Sequence, residues 1–142
     1  MHKAREILEE VVTVLKALTV NGNSIIAERF KPDTVTKYPT VMVGLGGDVN
    51  NEDSFDQDLR ELTIYTDIFV RSISKNIEDD ALDVREVVEA AMLVTSHFTN
   101  PAIQMVRFSE QQEIEFNQQE SDDYAVKLRL VWLITYVTNS TY

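Results

Sequence analysis

Asp48, Asn50 and Glu52 fall at alternate positions in an acidic stretch, the spacing of the first ligands in a helix-loop-helix calcium site. Oxygen donors at that spacing converge on a cation only if the loop also turns sharply and closes with a bidentate glutamate. Here position six is Asp53 where glycine is needed, position twelve is Leu59 where glutamate is needed, and both flanks read as strands. The three residues are weak metal candidates, and an exposed acidic loop over 48–58 is the stronger reading. Gly44-Leu45-Gly46-Gly47 follows a strand as a phosphate-binding turn does, but it leads into Asp48 and another strand, whereas a dinucleotide site needs a helix N-terminus there. The two histidines, His2 and His97, stand at a terminus and near a helix end without a serine or carboxylate at motif spacing, so His97 reads as a cap or a solvent-facing residue. Tyr65, Phe69, Phe108 and Phe116 have too few neighbouring cations for a base-stacking platform and read as core or interface. With no nucleophile and base, no metal cluster and no phosphate cradle, the expectation is a chain that is not an enzyme and takes no cofactor.

Composition narrows the classes further. A chain of 142 residues fits one domain and can bury a substantial core. The absence of cysteine excludes disulfides and thiolate metal sites, and it fits a reducing compartment or a particle assembled inside a cell. The start, MHKAREILEEVV, is charged throughout, and no stretch approaches the ~18 apolar residues of a membrane span, so a soluble chain without a membrane partner is expected. The formal charge of −11, from 24 acidic against 13 basic residues, works against affinity for the nucleic-acid backbone. The same charge suits a surface past which a duplex must slide without sticking.

The elements that would carry these residues are legible from periodicity. Ala4, Ile7, Leu8, Val11, Leu15 and Leu18 form one helical stripe and predict a helix over 2–19, ended by Asn21-Gly22-Asn23. A short edge strand over 24–30 follows, with Ile26 and Phe30 inward; Pro39 then opens a strand over 38–45, and residues 59–71 alternate along their whole length. A second helix begins after Ser74 with the stripe Ile77, Ala81, Val84, Val88 and Ala91 inward and Asp83, Arg85, Glu86 and Glu89 outward, stopped by Asn100-Pro101. Two arms, 102–117 and 124–138, form a closing hairpin. The second arm holds the only tryptophan, Trp132, and from Leu130 onward both of its faces are apolar and call for cover. Fully extended it would reach ~50 Å, against ~17–20 Å for an ordinary strand, which predicts that part of it works outside its own domain core. The fold class expected is α+β: two helices packed on a mostly antiparallel sheet with a long C-terminal β-hairpin.

This order, with YPTVMV before an acidic loop, LRELTIYTDIFVR, ALDVREVVEAAM and the final VKLRLVWLITYVT, resembles the tail terminator, or minor tail protein, family of long-tailed bacteriophages. Each feature is a pattern of residue classes, and together they span nearly the whole chain. The resemblance implies one tail-terminator-like domain over 1–142 that forms a ring, commonly a hexamer, caps the tail tube, stops its polymerisation and joins it to the head. The implied partners are its own kind, the tail tube protein and a head-tail connector protein, with DNA passing through the lumen unbound. The implied location is the tail or neck of a virion assembled in the host cytoplasm. A head-tail joining protein, or a small ligand-binding or enzymatic α+β domain, is the alternative. The two arms exceed what an enzyme of this size needs, and a polar break interrupts them at Ser109 to Glu113. The interface is therefore expected in the acidic loop and the hairpin 109–123, at Asp48, Glu52, Asp53, Asp56, Glu110, Gln112, Glu113, Glu115, Gln119 and Asp122.

Overall fold

A computed structural model of the chain describes residues 3–32, 35, 37–53, 57–72, 76–94, 97–112, 115–118 and 124–139. The first apolar stripe forms helix α1 (Lys3–Lys16), which buries Ala4, Ile7, Leu8, Val11, Val12 and Leu15. It ends before the predicted boundary, because the next residues form a small hairpin, β1 (Thr19–Val20) with β2 (Asn23–Ser24). The turn between them is Asn21-Gly22, both at positive φ, which a two-residue hairpin turn requires. Strand β3 (Ile26–Arg29) is short and lies at an edge as expected, but Ile25 and Ala27 point into the core while Phe30 is exposed. The predicted inward pair was out of phase by one residue, a slip that reverses both faces of a strand.

Strands β4 (Thr40–Asp53) and β5 (Gln57–Ser72) then form one long antiparallel hairpin. Residues 48–58 are therefore mostly its far end and not an acidic loop, with only 54–56 outside the described residues. Helix α2 (Ile77–Leu93) buries Ile77, Ala81, Val84, Val88, Ala91 and Met92, and it stops at extended Val94, ahead of Asn100-Pro101. The predicted hairpin is present as β6 (Ile103–Gln111) and β7 (Glu115–Gln118), both on the same flank of β8 (Tyr124–Asn139).

The sheet order is β3-β4-β5-β8-β6 with β7 beside β8, and only β3 with β4 is parallel. The fold is α+β, two helices on a mostly antiparallel sheet. Strand β8 matches β5 residue for residue from Ser72↔Tyr124 to Gln57↔Asn139. It does not project from the sheet, as its length had predicted; it is an inner strand, matched along its whole length by β5 and on its other flank by β6 and β7 in turn. Leu62, Ile64, Ile68 and Val70 of β5 share one face with Val126, Leu128, Leu130, Trp132 and Ile134 of β8, and both helices cover that face. The other face carries no helix among the described residues.

One bulge decides where the acidic strand points. Gly46 and Gly47 of β4 stand between the partners Leu45↔Ile64 and Asp48↔Leu62, opposite the single residue Thr63. A Cβ on Gly46 would lie 2.8 Å from Thr63 Cγ2 and 3.1 Å from its carbonyl oxygen, so only glycine fits. The inserted residue shifts the alternation and turns Asp48 to the same face as Leu62.

Candidate assembly surface

Because of that bulge, Asp48 meets two side chains from the neighbouring strands, just beyond the helices. Tyr136 of β8 donates its hydroxyl to Asp48 Oδ2 at 2.8 Å, and Arg60 Nε of β5 lies 3.3 Å from Oδ1. Burial opposes the Arg60 charge most strongly of any single cause, but Asp48 and Tyr136 together outweigh it and the net direction is upward. This carboxylate is a tie between three strands. The backbone of Asn50 and Glu52 follows it within β4, where the sequence predicts a loop. Among the described residues no group of three or more histidines or carboxylates could hold a metal ion.

For Tyr136, burial first and the Asp48 hydrogen bond second push the phenol from 10.0 up to about 12. The native chain thus holds this proton more tightly than the unfolded one. Its contribution is complete below pH 10 and is lost as pH rises through about 12. Stability should fall across that window, and Tyr136→Phe should make the fall shallower in urea titrations at pH 9 and above; parallel alkaline profiles for parent and variant would contradict this.

The helix-free face has its own polar centre. Asp67 is only 3 % exposed, and Arg129 grips it as a fork, Nε to Oδ1 at 2.7 Å and an Nη nitrogen to Oδ2 at 2.9 Å. The guanidinium lies 4.5 Å from the Tyr65 ring centre, and Lys127 Nζ lies 5.9 Å from that of Phe69. These two aromatics therefore stand on the uncovered face beneath cations. Phe108 instead belongs to the helix-covered side, edge-on to Trp132 at 5.3 Å. Phe116 is placed by its backbone in β7.

The predicted interface residues separate into two groups at opposite margins of the sheet. Asp48, with the backbone of Glu52 and Asp53, lies on β4. Glu110 lies on β6, Glu115 on β7 and Gln112 just past the end of β6; Gln112 and Glu115 share a shallow dent with Lys127 and Arg129, and the Gln112 amide donates to the Arg129 carbonyl at 2.9 Å. Asp56, Glu113, Gln119 and Asp122 fall outside the described residues, as does His2.

Two residues have roles that periodicity did not reveal. Arg85, expected to face solvent, reaches across to donate to Gln111 and lies 5.3 Å over the Phe108 ring, so it fastens α2 to β6. Glu10 of α1 accepts hydrogen bonds from the backbone N–H groups of Thr99 and Asn100, the latter at 3.1 Å. His97 behaves as the expected cap: its Nδ1 is 3.0 Å from the Ala91 carbonyl near the end of α2.

No protein-family model matches the chain, and no curated protein matches it. Among solved structures it is similar to a chain in the virion of a native gene transfer agent (GTA) particle, with a TM-score of 0.60 and 13 % identity. The match covers 96 % of this chain and 100 % of that one, so the likeness is one of the whole fold.

Proposed function

We propose that this chain is a structural virion subunit: a single domain over 1–142 that forms a ring at the head-proximal end of a phage-like tail tube, stops the tube growing and joins it to the head. The observation that carries this reading is the fold shared from end to end with a virion chain. Candidate contact residues on opposite margins of one sheet support it, because a ring needs two different surfaces that each neighbour can join. The partners are then further copies, six in a hexamer, together with a tube protein and a head-tail connector protein. The work is done without substrate turnover. A charge of −11 keeps DNA moving through the lumen and holds free subunits apart until salt or a tube end overcomes the repulsion.

Light scattering with negative-stain imaging tests this. At low salt the purified protein is expected as a monomer, and at higher salt as rings of six subunits that cap tube ends. Rings that bind the connector but ignore tube ends would favour a joining role, and a chain that stays monomeric at every salt and concentration would remove the ring.

A further inference from the structure

Strand β3 pairs only with Thr40 to Val43 of β4, so among the described residues the outer edge of β4 is open from Gly44 to Asp53. At the other margin, β6 pairs with β8 on one side and is open on the other. Three successive antiparallel pairings, β4 with β5, β5 with β8 and β8 with β6, leave β4 and β6 running in opposite directions. A second copy rotated about an axis along the strands keeps its direction, and its β6 then meets β4 antiparallel.

The cross-strand register singles out one row. Val49, Glu61, Thr135 and Met105 are successive partners across β4, β5, β8 and β6, on the helix-free face. The two ends of that row are exposed apolar side chains, Val49 at 58 % and Met105 at 49 %. We infer that copies of this chain join head to tail by strand addition, β4 of one against β6 of the next, with Val49 of the first opposite Met105 of the second. This rests on the ring reading above and names its contact.

Charge selects this joint over a two-fold one. The open part of β4 carries Asp48, already tied to Arg60, with Glu52 and Asp53 and no basic residue, so two β4 edges would bring acidic residues of one sign together, whereas β6 brings Glu110 and an Arg107 that lies 2.9 Å from its own Glu61. Register shifts on both edges limit the ladder. Those on β4 leave Asp48 to Asn50 regular, those on β6 leave Met105 to Phe108 regular, and the Val49–Met105 register overlaps these stretches at two positions, Val49 with Met105 and Asp48 with Val106. A ladder this short binds weakly at each joint and accumulates only when the ring closes, and the same bulges discourage open-ended strand addition.

The chain contains no cysteine, which makes the test direct. Opposed strands place Cβ atoms ~4.5–5.5 Å apart, within reach of a disulfide after small adjustment. Val49→Cys combined with Met105→Cys is expected, on mild oxidation under ring-forming conditions, to give a ladder of linked species ending at the ring on non-reducing gels. Val49→Cys combined with Leu82→Cys, which is exposed on α2, is expected to give no ladder. Both altered edge positions are exposed, and melting curves matching the parent establish that the double variant folds. Rings in the images without the ladder overturn this contact and leave the ring reading intact, whereas no rings at all overturn both. Efficient dimers from Val49→Cys alone overturn the head-to-tail joint in favour of two β4 edges meeting.

Discussion

Replacing Trp132 with alanine should cost about 3–5 kcal/mol of folding stability. Trp132 is fully buried between Ile64 of β5 and Phe108 of β6, and its Nε1 donates to Thr66 Oγ1 at 2.9 Å. Truncation therefore opens a cavity at the centre of the helix-covered face and takes the donor from a hydroxyl that no water reaches. Trp132→Phe keeps most of the packing and loses only the hydrogen bond, so it should cost clearly less. Urea denaturation checks both, as a fall in midpoint at unchanged slope. A midpoint equal to the parent's for Trp132→Ala would show that the sheet does not depend on this side chain.

Arg129→Met should cost about 3 kcal/mol, the lower end of what breaking a buried ion pair costs. Asp67, only 3 % exposed, then loses the partner of both its carboxyl oxygens. The Arg129 side chain is itself 31 % exposed, so water can enter and soften the loss. Converting Asp67→Leu in the same chain removes the buried carboxyl group left without its partner and should recover most of the stability. The recovery would show in a double-mutant cycle as a coupling well above that of a surface pair. Additive costs would mean that Asp67 finds other partners on the helix-free face.

The sequence made the apolar machinery plain and the polar machinery obscure. Helix α1 and strand β8 were legible because their stripes are long and of one period, and a buried stripe leaves little freedom about what it faces. The far end of β4 was not, since Gly46, Gly47, Asp48 and the asparagines after it have low strand propensity; pairing with β5 holds them extended regardless. Nor was the Asp48 tie with Arg60 and Tyr136. It joins three strands distant in sequence, and it exists because a bulge reverses the alternation, which no local pattern reports. The apolar second face of β8 was visible in Val131, Leu133 and Val137, but the expectation of cover on both sides met helices on one side only. Val131 is nonetheless 6 % exposed within the flat of the sheet.

The position of β8 also bears on how the fold comes into being. It follows every other described element in chain order, yet it fills the place between β5 and β6, and its partners lie far back: Leu62 pairs with Ile134. Until β8 arrives, β5 lacks one strand partner, β6 has none, and α2 has only part of its floor to pack on. Contacts between segments so distant in sequence must pay loop closure before they reward it, which places this topology toward the slow end for its size. A nascent chain halted before Tyr124 would hold the β4–β5 hairpin beside an unfilled slot, and is expected to bind hydrophobic dyes and digest readily until the final strand closes it.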